Sequence, residues 1–270
     1  MAPSILLLTL VALCSISEAA TLPKFSGILI FGDSTVDTGN NNYVKTVFRS
    51  DHPPYGRDFP DHVPTGSLTD DDIRTGVCFA SAGSGYDDMT TAATGAIPLD
   101  EQLELFKSYI TRLKGIVGEE EARKILGGAL IIVSSGTNDL VYNYYDIPTR
   151  RYQFNTVSGY HDFLLNSLRS FVQELYNHGG RLMAIAGLPP IGCLPVQIVT
   201  RYGSSGTPAC LEDQNLDCQT YNKKLNRLLT QLQPSLPGSR IIYADIYDPL
   251  SDMVSQPQKY GKLLLKEEGK

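Results

Sequence analysis

The amino-acid sequence predicts one α/β domain in which helices cover both faces of a mainly parallel sheet. Short segments that are apolar throughout alternate with longer segments of helical period, and strands buried on both faces are typically apolar throughout. The chain has 270 residues, of which 42% are hydrophobic and 19% charged. Because α/β domains often exceed about 200 residues, this composition suits a single domain with a large core.

Strands and helices are predicted in alternation along the chain. Helical spacing is clearest between residues 157 and 177, where Leu164, Leu168 and Leu175 share one face. This alternation gives a doubly wound sheet with right-handed crossovers. The predicted strands are residues 27–31, 129–134, 182–186 and 240–244, and the predicted helices are residues 99–116, 119–126, 157–177 and 211–232.

Residues 1–20 are predicted to be a secretory signal peptide that is cleaved after Ala19 or Ala20. An apolar stretch at residues 5–13 is followed by the small residues that a signal peptidase requires. The stretch is shorter than the ~20 apolar residues that cross a bilayer, and no later segment is long enough to span one. We therefore expect a secreted, extracellular protein whose domain occupies residues 21–261.

Charge and cysteine content narrow the possible partners. A net charge of −6 argues against nucleic-acid binding, which needs clustered Lys and Arg. No cysteine or histidine spacing indicates zinc.

Three cysteines flank one loop in what should be an oxidising compartment, so one disulfide is expected and one thiol is left over. Cys193 and Cys210 are the candidates for the disulfide, Cys218 is the third, and Cys78 is expected to be a small buried side chain.

The chemical candidates are residues that follow strands, because ligands on such sheets lie beyond the carboxyl ends of the strands. Three segments offer a hydroxyl, a glycine loop with free N–H groups and a side-chain amide, which are the parts of an acyl-transfer site. These segments are Gly32-Asp33-Ser34-Thr35, Phe79-Ala80-Ser81-Ala82-Gly83-Ser84-Gly85 and Gly136-Thr137-Asn138-Asp139.

The sequence resembles the GDSL esterases and lipases, or SGNH hydrolases, in their secreted plant branch. Gly32-Asp33-Ser34-Thr35 is similar to the family's Gly-Asp-Ser-Leu block, and the resemblance runs from about residue 25 to residue 261. Further blocks follow in the family's order: Pro53-Pro54-Tyr55-Gly56, Gly187-Leu188-Pro189-Pro190-Ile191-Gly192-Cys193-Leu194-Pro195 and Tyr243-Ala244-Asp245.

The resemblance implies a three-layer α/β/α sandwich of the SGNH/flavodoxin-like kind. It also implies hydrolysis of small-molecule, lipid or acylated-sugar esters without a metal or organic cofactor. Matched position by position, Ser34 is the nucleophile, while Gly83 and Asn138 are oxyanion-hole donors. The backbone N–H of Ser34 would be the third donor.

The chain departs from the family at the general base, which the family takes from a carboxy-terminal Asp-x-x-His block. None of its four histidines has an aspartate three residues before it. His161 and His178 lie in or after a predicted helix and are expected to be solvated. Because a serine hydroxyl is a poor nucleophile until its proton is removed, we expect impaired turnover. The alternative is an inactive ester-binding or glycan-binding protein, or a non-functional splice form.

Two further segments differ from the family. The family's sequence after Pro64-Thr65-Gly66 includes an amphipathic helix, whereas here the chain runs almost directly to Thr75. Residues 262–270 do not resemble the family, so the fold is expected to be incomplete at its C-terminus. Loss of a packed helix should expose an apolar sheet face and lower a stability of only ~5–15 kcal/mol.

Four other interpretations compete with the acyl-transfer site. Asp33 and Ser34 could cap a helix, and Asn138 with Asp139 could form a plain turn. Residues 79–85 could likewise be an ordinary glycine loop. A phosphatase-like site with Asp33 as the nucleophile is also possible, but such sites generally need a second acid two residues later, where Thr35 stands.

Overall fold

A computed structural model describes residues 24–52, 69–147, 149–203 and 209–261. Its centre is a sheet of five parallel strands in the order β2-β1-β3-β4-β5, which confirms the predicted α/β class. The short edge strand β2 was not predicted. The strands are β1 (Ile28–Gly32), β2 (Gly76–Cys78), β3 (Leu130–Ser134), β4 (Leu182–Ala186) and β5 (Arg240–Ala244).

All four predicted helices are present, with ends that differ by two residues or fewer. Several shorter ones were not predicted. The α-helices are α1 (Asp70–Thr75), α2 (Asp88–Thr94), α3 (Leu99–Val117), α4 (Glu119–Gly128), α5 (Val157–Asn177), α6 (Pro195–Tyr202), α7 (Glu212–Leu232) and α8 (Tyr247–Ser255). A π-helix covers Asp139–Asp146, and 3-10 turns cover Asn40–Tyr43, Ile191–Cys193, Gln233–Ser235 and Pro257–Tyr260.

One face of the sheet is buried across its three central strands. Phe31 of β1 contacts Phe106 of α3 and Phe171 of α5, with ring centroids 5.5 Å apart in both pairs. Aromatic rings that meet edge to face add to the free energy gained by burying their area. The strand residues on this face are 0–1% exposed in the three central strands: Leu29, Phe31, Ile131, Val133, Met183 and Ile185.

The opposite face of the sheet is partly open to solvent. Residues that pair in register in a parallel sheet share a face. One such row across the sheet consists of Ile30, Ile132, Ala184 and Ile242. All four are at least partly exposed, and Ile242 is 45% exposed. We call this row the open face.

Several segments about which the sequence made predictions lie outside the described residues. They are the predicted signal peptide, the block at residues 53–56, the segment at residues 64–66 beside the expected deletion, and the tail at residues 262–270. Immediately after the gap, the described chain forms the short helix α1, which begins at Asp70 and has Thr69 as its N-cap. Thr69 and Asp72 form a capping box there, since each side chain accepts a hydrogen bond from the backbone N–H of the other residue.

Cys193 and Cys210 are joined in a disulfide, while Cys78 and Cys218 are free thiols. Cys218 is buried, whereas Cys78, which was expected to be a small buried side chain, is only partly buried. The reason is its position on the edge strand β2, which has a strand neighbour only on the β1 side. Within the described part of the chain, no helix is both long and apolar enough to cross a membrane.

The two faces of β5 give a matched pair of stability predictions. We expect Ile242→Thr to reduce aggregation and binding of a hydrophobic dye, because it removes apolar surface from the open face. Its free energy of unfolding should change by less than about 0.5 kcal/mol. Ile241→Thr changes the buried neighbour, which is 8% exposed, and should cost about 2 kcal/mol or more. Urea unfolding measures both, and equal costs would contradict the difference between the faces.

Candidate active site

Ser34 lies on a tight turn directly beyond the carboxyl end of β1. The carbonyl oxygen of Asp33 accepts hydrogen bonds from the N–H groups of Val36 and Asp37, and Ser34 is exposed on this turn. Gly32 makes the turn possible, because its φ is +133° and an added Cβ would lie 1.8 Å from the carbonyl oxygen of Ser134. The apolar strand therefore presents one hydroxyl at the carboxyl end of the sheet.

The carboxyl group of Asp33 points the other way, into the protein. Its Oδ1 accepts hydrogen bonds from the backbone N–H and the hydroxyl of Thr35, at 3.0 and 2.8 Å. Its Oδ2 is buried with no hydrogen-bond partner, and burial raises the pKa of Asp33 to about 6. An enclosed carboxyl group beside an exposed hydroxyl favours Ser34, not Asp33, as the group that meets a substrate.

Three polar side chains after Ser34 connect its loop to the glycine loop that follows β2. Asp37 Oδ2 accepts a hydrogen bond from the N–H of Ala82 at 2.9 Å. Asn40 donates to the carbonyl oxygens of Cys78 and Ala80, and Asn41 donates to that of Ala82. The two loops therefore hold one another in place.

Gln102 of α3 makes a further connection that the sequence did not indicate. Its side chain is completely buried, accepts from the N–H of Gly32 at 2.9 Å and donates to the carbonyl oxygen of Gly32 at 3.0 Å. It also donates to the hydroxyl of Ser84 at 3.3 Å. One amide thus joins the end of β1 to the glycine loop.

Asn138 and Asp139 fix the third segment against the same glycine loop. Asn138 donates from Nδ2 to the carbonyl oxygen of Ser84 at 2.8 Å. The carboxylate of Asp139 is fully buried and accepts from the N–H groups of Tyr86 and Asp87, at 2.8 and 3.1 Å. Thr90 donates a third hydrogen bond to it at 2.5 Å. We call these four hydrogen bonds the loop clamp.

The loop clamp leaves no room for a side chain at residue 85. A Cβ at Gly85 would lie 2.2 Å from Asp139 Oδ1. Burial raises the pKa of Asp139 to about 7, although its three hydrogen bonds favour the carboxylate. Outside the clamp, Arg150 binds the buried carboxylate of Asp87 through two hydrogen bonds of 2.6 Å, which neutralises the next acid in the network.

Three hydrogen-bond donors remain free among these connected loops. In the described part of the chain, the backbone N–H groups of Ser34 and Gly83 have no acceptor. The side-chain amide of Asn138 donates one N–H to the carbonyl oxygen of Ser84, and its second N–H has no acceptor within the described residues. Buried or enclosed N–H groups are rarely left without a partner, so these donors are available to a ligand oxygen.

The described histidines do not supply a base to Ser34, whose side chain makes no hydrogen bond with the residues that the structure covers. The expectation that His161 is solvated was wrong. It is 0% exposed, its ring meets Tyr221 edge to face, and neither ring nitrogen has a partner. Burial lowers the pKa of His161 to about 4. His178 follows α5, near the amino end of β4, and His52 lies beside Asp51.

Residues 24–52, 69–147, 149–203 and 209–261 contain no group of three His, Cys, Asp or Glu side chains that could hold a metal ion. An exposed serine, enclosed acids and free amide donors occur together at the carboxyl edge of the parallel sheet. This combination defines an α/β enzyme that binds its substrate where the strands end.

Comparison with known proteins identifies the family. A model described as GDSL-like Lipase/Acylhydrolase matches residues 28–263. Three GDSL esterase/lipases of Arabidopsis thaliana are 48%, 47% and 48% identical to the chain, with 94% of this chain and 78% of each relative covered. The chain belongs to the family of GDSL-like lipases and acylhydrolases, which are carboxylic ester hydrolases. Esters are therefore its class of substrate.

The same comparison agrees with the expected internal deletion. The alignment to each of these relatives extends over 283 positions, which exceeds the 270 residues of this chain. The relatives therefore carry residues inside the aligned region that have no counterpart here.

The loop clamp gives a test by substitution of glycine. We expect Gly85→Ala to lower the free energy of unfolding by about 2–4 kcal/mol, because the new Cβ must displace the buried carboxylate of Asp139. Gly115→Ala is the matched control, since Gly115 lies within α3 and its Cβ would meet nothing within 4 Å. It should stabilise the chain by up to about 1 kcal/mol. Urea unfolding would contradict the clamp if Gly85→Ala were as stable as the wild-type chain.

Proposed function

We propose that this chain binds carboxylic esters with Ser34 as the nucleophile and three donors as the oxyanion hole. The donors are the N–H groups of Ser34 and Gly83 and the side-chain amide of Asn138. The observation that carries the proposal is that all three donors are free while the loops bearing them are bound to one another. Donors fixed in advance around a developing negative charge are often the largest contribution to acyl transfer.

The chemistry follows from these roles. The Ser34 Oγ attacks the ester carbonyl carbon, its proton passes to a base, and the carbonyl electrons move onto the oxygen that the three donors surround. The alcohol then leaves with a proton, and water hydrolyses the acyl-serine to release the acid. We propose acyl lipids and acylated sugars as the range of substrates.

We further propose that this 270-residue chain turns esters over slowly. The support is the absence of an Asp-x-x-His block from its sequence, together with the buried, unpartnered ring of His161. In subtilisin, loss of the catalytic histidine lowers kcat about a millionfold, while the oxyanion hole and substrate binding retain ~10³–10⁴ over water. Ester binding without appreciable turnover is the expected behaviour.

Secretion and the limits of the domain are part of the same proposal. We assign residues 1–20 to a signal peptide, residues 21–261 to the hydrolase domain and residues 262–270 to a tail outside it. The Cys193–Cys210 disulfide supports an extracellular protein, because disulfides persist in oxidising compartments.

A fluorophosphonate ester probe tests the role of Ser34. We expect slow labelling that accelerates when imidazole is added, because imidazole in solution can take the proton that the chain has no placed base to remove. Ser34→Ala should abolish labelling, whereas Ser255→Ala, at an exposed serine of α8, should leave it unchanged. The labelled residue is identified by mass spectrometry.

Two results would contradict the proposal in different ways. Labelling that persists in Ser34→Ala would refute Ser34 as the nucleophile. Labelling of the wild-type chain without imidazole at a rate typical of serine hydrolases would refute the slow turnover but leave the nucleophile intact.

A further inference from the structure

We propose that the cleft between α3 and the edge strand β2 binds a single uncharged hydrocarbon chain, the acyl or alkyl tail of an ester. The cavity has a volume of about 400 Å³, within the range of small-molecule sites. Ser34 is not among the residues that line it. Only the identity of the ligand as an ester tail rests on the proposed function.

The walls of the cleft are mainly apolar. One wall is the outer surface of α3, where Leu105 and Tyr109 are one turn apart. The facing wall is formed by Val77 of β2 and the adjoining Phe79, and Ile73 of α1 closes one end. An apolar wall of this size favours ligands that gain free energy by leaving water, at about 0.8 kcal/mol for each buried CH₂.

Polar side chains in the described walls already have partners within the protein. Asn40 donates both N–H groups of its amide to the carbonyl oxygens of Cys78 and Ala80, and Ser108 donates to the carbonyl oxygen of Glu104. Groups satisfied in this way gain little from a polar ligand. The cleft therefore suits a hydrocarbon chain.

The charges beside the cleft do not favour an anionic head group. Arg112 lines the cleft, but its guanidinium lies 2.9 Å from the carboxylate of Asp70. Asp71 and Asp72 follow Asp70 in the first turn of α1, so this turn carries more acidic groups than the one arginine that it meets. An uncharged chain is favoured over a fatty-acid carboxylate.

Part of the lining of the cleft comes from the segments that carry the proposed site. Asn40, six residues after Ser34, lines the cleft and donates to the carbonyl oxygens of Cys78 and Ala80. Ile97 lines it as well, and its N–H donates to the hydroxyl of Ser81. A chain in the cleft therefore lies against the loops that hold Ser34 and Gly83.

The chain contains no tryptophan, so a single introduced tryptophan reports on the cleft without background. We expect the fluorescence of Leu105→Trp to change on addition of primary alcohols from hexanol to dodecanol. Affinity should rise about fourfold for each added CH₂ and then level off when the cavity is full. Val199→Trp, at an exposed position of α6, is the matched control and should not respond.

Three further measurements test whether a fluorescence change comes from binding in the cleft. The Val77→Phe change in the Leu105→Trp background should weaken binding at least tenfold by filling the cleft. A thermal shift of the wild-type chain with the same alcohols gives a second measurement if that variant does not fold. Carboxylates of the same length should bind no more tightly than the alcohols.

The proposal is overturned if the response does not depend on chain length, if Val199→Trp responds equally, or if carboxylates bind more tightly. Retained alcohol binding in Ser34→Ala supports it, because the cleft does not include that hydroxyl. Failure of phosphonate labelling with intact alcohol binding would count against the proposed function alone.

Discussion

Asp139 places a carboxylate where no solvent reaches it, and a buried charge is costly unless hydrogen-bond donors surround it. Two of its three donors are the backbone N–H groups of Tyr86 and Asp87, directly after the glycine loop, so the chain must adopt one conformation there for the charge to be satisfied. Asn138 is the preceding residue and is fixed by the same contact. The glycine loop and the side chain of Asn138 are therefore held beside this buried carboxylate.

The carboxyl edge of the sheet and its open face therefore differ in how completely they are packed. At the carboxyl edge, three loops are joined by the loop clamp, by Gln102 and by the side chains that follow Ser34. Across the sheet, Ile242 of the open face is 45% exposed, and Ile28, on the same side of the sheet, is 44% exposed. Since net stabilities are only ~5–15 kcal/mol, apolar surface left open on this side affects the stability of the fold more than the geometry of the loops at the carboxyl edge.

Much of this architecture could be predicted from sequence because the signals are local. Continuous apolar runs indicated four of the strands, and helical spacing indicated four long helices. β2 was missed because Gly76, Val77 and Cys78 form too short a run to show a period. The burial of His161 had a signal that was overlooked, since it stands three and seven residues before the core residues Leu164 and Leu168. Gln102 and the loop clamp could not be found this way, because most of their contacts join residues 49 to 70 positions apart.

The most direct test is boron NMR of phenylboronic acid added to the chain, since a serine oxygen held against free donors forms a tetrahedral boronate. This adduct resembles the tetrahedral intermediate and tests the oxyanion site independently of turnover. The account predicts a tetrahedral boron signal that disappears in Ser34→Ala and weakens in Asn138→Ala. A signal that stays trigonal, or a tetrahedral signal unchanged in Ser34→Ala, would contradict it.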